Sequence, residues 1–327
     1  MNSSLNHFIP NSQNLFSSKN DPDDIRLGDL FKTISMNELA KDTNHTDDFC
    51  LLGYPDDEGI QLNGGRIGAA LAPTSIRQTL LKMTPQKSQK IFFDIGDLQI
   101  SNELGQRHQS AQMTIQTLQT QKIKTISLGG GHDYGYPDAS GFLKAYLPLQ
   151  AHGGPKPIVL NFDAHLDVRP THNGFNSGTP FYRLLNEFEN QFVFAEIGLQ
   201  PQCNSIKHRE WALNKKAHLF DLKDIQSVHG LLSLFNHPIF KTLTKTTPIF
   251  ISFDIDCLTS MEAPGCSQSW VTGLKTEDYL RFFSELSKKA DIRGLGIYEV
   301  SPPLDFDKQT SKTAALLIYN FLFQDSL

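Results

Sequence analysis

Short apolar runs rich in β-branched and aromatic residues alternate along the chain with segments whose apolar positions recur at helical spacing. Phe49–Gly53, Lys124–Leu128, Pro157–Phe162, Phe192–Leu199, Pro248–Asp254 and Arg293–Glu299 read as strands. Most are near-continuous apolar runs, the pattern of parallel strands buried on both faces. Between them Pro73–Met83 reads as a helix, with proline in its first turn and Ile76, Leu80 and Met83 on one side. Gln106–Gln119, Thr276–Lys289 and Thr310–Phe323 follow the same logic. Repeated strand–helix alternation predicts a doubly wound α/β fold with a mainly parallel sheet. No internal repeat or low-complexity linker divides the chain, so residues 22–327 are expected to form a single domain. The polar, Asn- and Ser-rich residues 1–21 are expected to be a flexible leader.

Composition narrows the function. A net charge of −5 without a basic run argues against a nucleic-acid partner, which demands clustered Lys and Arg. No apolar stretch approaches the roughly twenty residues of a membrane span, and the N-terminus lacks the basic and apolar regions of a secretory signal. Cys50, Cys203, Cys257 and Cys266 are scattered, which suits neither a disulfide framework nor a zinc knuckle. A cytoplasmic protein without nucleic-acid or membrane partners is the expectation.

Candidate chemistry gathers where strands end, which is where such sheets place their ligands. Gly129-Gly130-Gly131-His132-Asp133 follows the run ending at Leu128. The glycines permit unusual backbone angles and close approach, but no Gly-Lys-Ser/Thr follows, and Tyr134 stands where a dinucleotide loop needs its third glycine. Asp163-Ala164-His165-Leu166-Asp167 follows Ile158–Phe162, and Asp254-Ile255-Asp256 ends the run from Pro248. In extended backbone the alternate residues of each cluster project to one side. Ionisable groups gathered at the end of a buried strand are costly without compensation, which a divalent cation supplies. Four carboxylates and two imidazoles suit two ions sharing a carboxylate. Oxygen and imidazole ligation without thiolate points to manganese first, then iron, cobalt or zinc. Two such ions about 4 Å apart lower the pKa of a bridging water and give a hydroxide nucleophile near neutral pH. A calcium-stabilised module would not need two imidazoles.

The three clusters resemble, in order, the metal-binding signatures of the ureohydrolase family, which includes arginase, agmatinase and formimidoylglutamase. Further stretches resemble the formimidoylglutamase branch: Gly53–Gly59, Asn63–Ala69, Asp167-Val168-Arg169-Pro170, Ser177–Phe181 and Ala263-Pro264-Gly265. The resemblance covers roughly residues 22 to 325. It implies a three-layer α/β fold, two Mn²⁺ per chain held by His132, Asp163, His165, Asp167, Asp254 and Asp256, and a small-molecule substrate. Homo-oligomers are common among such relatives. It also implies that Glu299, in Ile297–Pro302, binds the cationic head of the substrate.

The reaction so implied is hydrolysis of N-formimidoyl-L-glutamate to L-glutamate and formamide, a step of histidine degradation. A cluster left negative by its bridging hydroxide, with Glu299 beside it, attracts an amidinium. The proton donor is unassigned, and Asp167 is a candidate to relay a proton from the attacking water to the leaving nitrogen. Arginases and agmatinases carry a shuttle histidine after the second signature; here Ser177–Phe181 has none, and His172 is the one imidazole in the loop. The two substrate carboxylates call for cations. Arg169, just beyond Asp167, and Arg66, in the glycine-flanked loop, are the candidates. The competing readings are a guanidine hydrolase releasing urea, which would share the metals, and a non-catalytic metal-binding member of the fold.

Overall fold

The expected strands pair into one ten-stranded sheet in a computed structural model that describes residues 7–10, 15–42, 44–100, 103–150, 153–226 and 230–324. In chain order they are β1 (Phe8–Ile9), β2 (Phe31–Thr33), β3 (Phe49–Gly53), β4 (Phe92–Leu98), β5 (Lys124–Leu128), β6 (Ile158–Phe162), β7 (Val193–Leu199), β8 (His218–Asp221), β9 (Pro248–Asp254) and β10 (Asp291–Tyr298). The order across the sheet is β1-β4-β3-β5-β10-β9-β6-β7-β8, with β2 also on β4. Every pairing is parallel except that of β1 with β4.

The pleat sends alternate side chains into separate cores. Leu51, Leu160 and Ile251 face one core, which holds helices α1 (Ala72–Leu80), α6 (Thr276–Ser287) and α7 (Gln309–Leu322). Leu52, Val159 and Phe250 face the other side, covered by α2 (Leu104–Thr120), α3 (Gly135–Gln150), α4 (Pro180–Glu187) and α5 (Ile206–Asn214). The result is the expected three-layer α/β arrangement. Among the described residues no helix is long and apolar enough to cross a membrane.

Two departures have physical causes. The expected leader contributes β1 to the sheet: Phe8 is buried and pairs with Leu98, because one apolar pair suffices where an existing edge offers free backbone groups. Residues 1–6 and 11–14 of that leader lie outside the described residues. The sequence reading also passed over β4, whose apolar run is broken by Asp94, Gly96 and Asp97. Both carboxylates are answered by Arg77, a fully buried arginine of α1, at 2.8 Å from Asp94 and 2.5 Å from Asp97. A partner distant in sequence makes a charged strand affordable.

Candidate metal centre

The central strands β5, β10, β9 and β6 are neighbours, and their carboxyl ends deliver the clusters to one place. The three glycines after β5 are there for close approach: none of them has a positive φ. A side chain on Gly130 would collide with the Asp56 carbonyl, and one on Gly129 would lie 2.6 Å from the Ile297 carbonyl. That approach lets His132 seat under Tyr298, with the rings stacked 5.0 Å apart.

Asp254 ends β9 and is placed by the pleat, whereas Asp163, Asp167 and Asp256 reach the same side by tight turns beyond the strands. Asp163 Oδ1 accepts the His165 backbone N–H at 2.7 Å, and Asp254 Oδ1 accepts that of Asp256 at 2.9 Å. Asp167 and Glu299 both hold left-handed backbone, at φ +48° and +64°. Such angles cost a non-glycine residue about 1–3 kcal/mol and persist where surrounding contacts impose them. Here the Asp167 carbonyl accepts from Phe181, and the Glu299 N–H donates to the Gly130 carbonyl at 2.9 Å. Asn204 braces the ligand loop, accepting from Leu166 N–H and donating to the Ala164 carbonyl, both at 2.8 Å.

Two candidate ligand sets, groups able to hold an ion, result. One oxygen or nitrogen from each of His132, Asp163, Asp167 and Asp254 lies within 4.8 Å of the others, and the same holds for Asp163, His165 and Asp256. Asp163 belongs to both. His132 Nδ1 lies 2.9–3.2 Å from carboxylate oxygens of Asp163, Asp167 and Asp254. It is nevertheless a buried nitrogen with no geometrically sound hydrogen bond, as is Asp256 Oδ1 on the acceptor side. Its Nε2 is occupied by the Ser252 hydroxyl at 2.9 Å, so Nδ1 is the atom turned to the carboxylates. Two orphaned buried atoms from separate loops, set among carboxylates from a third, fit ligands to a cation, and the donors suit manganese.

The electrostatics agree. Burial pushes the Asp256 carboxyl up to about 6, with Asp163 and Asp167 adding to the rise against the pull of His165. Burial, then Asp256 and Asp163, raises Asp254 well above the usual range. Burial opposes protonation of His132, but the facing carboxylates of Asp163, Asp167 and Asp254 outweigh that and raise it. Without positive charge, the acids compete for protons and the imidazoles are drawn to carry them. Divalent cations resolve both.

Beside the ligands opens a cavity of about 640 Å³. Asp167, Asp254, Asp256 and Glu299 lie on its wall, as do Arg169, Ser177 and His208. Glu299 is buried and its Oε1 accepts the His132 N–H at 3.0 Å. Burial and then the Asp254 charge raise its carboxyl well above the ordinary range.

Arg169 is exposed on this wall and has no carboxylate partner among the described residues. Two expected residues stand elsewhere. Arg66 does not line the cavity; its guanidinium is committed to the Cys266 and Ser267 carbonyls at 2.9–3.0 Å, where it ties two loops together. His172 sits exposed in a one-turn helix, Thr171–Asn173, away from the cavity wall, so it is badly placed for a proton shuttle. The sequence reading missed Ser252, although it continues the alternation of Asp254 and Asp256, and His208, whose helix carries no recognisable signal.

Comparison with known proteins is consistent with this geometry. The family model described as the arginase family matches residues 47–324. A formimidoylglutamase of Streptococcus gordonii is 30% identical over 283 residues, covering 83% of this chain and 82% of its own. Among solved structures, formimidoylglutamase from Bacillus subtilis superposes with a TM-score of 0.81 at 27% identity, covering 95% of each chain. Trypanosoma cruzi formiminoglutamase, solved with two Mn²⁺, gives 0.78 at 25% identity, covering 93% of this chain and 99% of that one.

Proposed function

The chain belongs to the arginase family, and on that premise we propose that it hydrolyses N-formimidoyl-L-glutamate to L-glutamate and formamide with two manganese ions. The observation that carries the substrate is the charge on the cavity wall: buried acids at the candidate ligand sets, and on the exposed part an arginine without a carboxylate partner among the described residues. An amidinium fits the first and a carboxylate the second. Agmatine, with no carboxylate, would leave Arg169 unanswered.

His132, Asp163, Asp167 and Asp254 would hold one ion, and Asp163, His165 and Asp256 the other. The bound ions supply Lewis acidity that makes water a nucleophile near neutral pH. Glu299 receives the amidinium and fixes the formimidoyl carbon over the ligand sets. Asp167 Oδ2 is turned to His132 Nδ1, which leaves its Oδ1 to pass a proton to the departing glutamate nitrogen. Arg169 grips a carboxylate in two parallel hydrogen bonds.

The deciding assay incubates manganese-loaded protein with formimidoylglutamate, arginine and agmatine. Formamide and glutamate are expected from the first, at a rate exceeding any urea released from the others. Faster urea release would transfer the assignment to a guanidine hydrolase.

Two variants probe the cavity. Glu299→Gln keeps the shape but replaces a charge-assisted contact by a neutral one. It should retain its metal and lower kcat/KM roughly ten- to thirtyfold. Unchanged kinetics would make the residue structural. Gly178 underlies the Arg169 side chain: a β-carbon there would stand 2.6 Å from Arg169 Cδ and 2.9 Å from Nε. Gly178→Ala must therefore displace the guanidinium. KM is expected to rise about tenfold with metal content and unfolding temperature near the parent's, and a parental KM would argue against this placement of Arg169.

A further inference from the structure

His208 is a half-buried imidazole in the first turn of α5, on the same cavity wall as Arg169. Its backbone N–H is satisfied by the Ser205 hydroxyl at 3.2 Å, whereas its ring makes no hydrogen bond or ion pair among the described residues. Outside the ligand sets, Arg169 and His208 are the basic side chains that line the cavity among the described residues. They come from separate elements, the loop after Asp167 and the start of α5, so chain connectivity does not force them together. An imidazole beside a guanidinium becomes a second positive group only when an anion lies between them, since two like charges on one wall repel.

The charge balance of the substrate makes the same demand. Formimidoylglutamate carries two carboxylates, and one guanidinium answers one of them. The α-carboxylate is bonded to the carbon that bears the reacting nitrogen, so it must lie near the ligand sets. Arg169 follows Asp167 by two residues and is the cation held closest to them by the chain. The γ-carboxylate, two methylenes farther out, needs a second positive group.

We propose that His208 is a specificity-determining residue that binds the γ-carboxylate of a glutamate-type substrate while Arg169 binds the α-carboxylate. This rests on the function proposed above. Burial, and then the nearby Arg169 charge, hold the free imidazole below its ordinary value. A carboxylate arriving between the two reverses the second influence, and the imidazole takes up a proton as the ligand seats. The other charged groups on the cavity wall are His165, Asp167, Asp254, Asp256 and Glu299.

The test uses manganese-loaded full-length protein and the variants His208→Gln and His208→Arg. Calorimetric titration with L-glutamate and with L-alanine, which lacks the γ-carboxylate, reads binding without turnover. Glutamate affinity should fall on the order of tenfold or more in His208→Gln and recover in His208→Arg, whereas the weaker alanine binding stays the same in all three. In turnover, His208→Gln should raise KM for formimidoylglutamate by a similar factor with kcat nearly unchanged. The fall in the parent's glutamate affinity from pH 6 to pH 8 should be lost in the variant. Equal glutamate affinity in parent and His208→Gln, or no measurable glutamate binding to the parent, overturns the inference. Glutamate binding that depends on His208 in a protein that does not hydrolyse formimidoylglutamate would uphold this wall and reject the proposed reaction.

Discussion

Asp163→Ala should lose both metal and turnover, with kcat/KM reduced by at least about a thousandfold. Its carboxylate is the one shared by both ligand sets, and it has no solvent exposure through which water could substitute. Its two oxygens are divided between His132 and His165, at 3.1 and 3.3 Å. Alanine there therefore damages both sets at once, whereas Asp256→Ala removes a ligand from one. Elemental analysis should find both ions reduced in Asp163→Ala. A ligand that binds only the folded state stabilises it, so chelation should lower the unfolding temperature of the parent and barely move that of the variant. A variant that keeps two ions per chain and parental turnover would refute the shared-ligand arrangement.

Arg169→Ala should leave the metal in place and lower kcat/KM for formimidoylglutamate roughly 30- to 1,000-fold. That range corresponds to about 2–4 kcal/mol for a substrate carboxylate left without its charged partner in a partly desolvated cavity. Arg169→Lys should recover only part of the loss, because an ammonium cannot make the paired contact of a planar guanidinium. The loop that carries Arg169 is fixed independently, through its N–H on the Gly178 carbonyl at 2.7 Å, so the variant should fold normally. Parental turnover of formimidoylglutamate by Arg169→Ala would show that the carboxylate is held elsewhere.

The central strands and the ligand clusters were legible because both are local signals. An apolar run ending in alternating acids and imidazoles says at once that a strand is buried and that its end is charged. β3, β5 and β9 fall on their predicted residues, and the remaining predicted strands shift at their ends by a residue or two. β4 and β8 were not legible, since β4 is charged until Arg77 arrives from another element and β8 is four residues at the edge. The helix α3 was hidden by Gly135, Pro137 and Pro148, residues that tolerate helix ends better than its middle. Arg66 shows the reverse failure. Its glycine-flanked loop suggested a ligand contact, but a guanidinium with five donors is equally suited to gathering carbonyls, and only packing decides between them.

The strand order has a consequence for how the protein comes into being. β10 lies between β5 and β9, in the middle of the sheet, yet it is the last strand in the chain. Its pairing of Gly294 with Thr125 closes a loop that spans half the polypeptide. A chain emerging from the ribosome can therefore zip β6 to β7 early, but it must hold β5 and β9 with a bare edge each until β10 is free. Glu299 follows that strand directly, so a cation captured earlier would meet an incomplete cavity. Loading with metal is thus expected to be a post-synthetic event, and loss of residues 291–327, which removes β10 whole, should produce a sticky, aggregating fragment rather than a weakened enzyme.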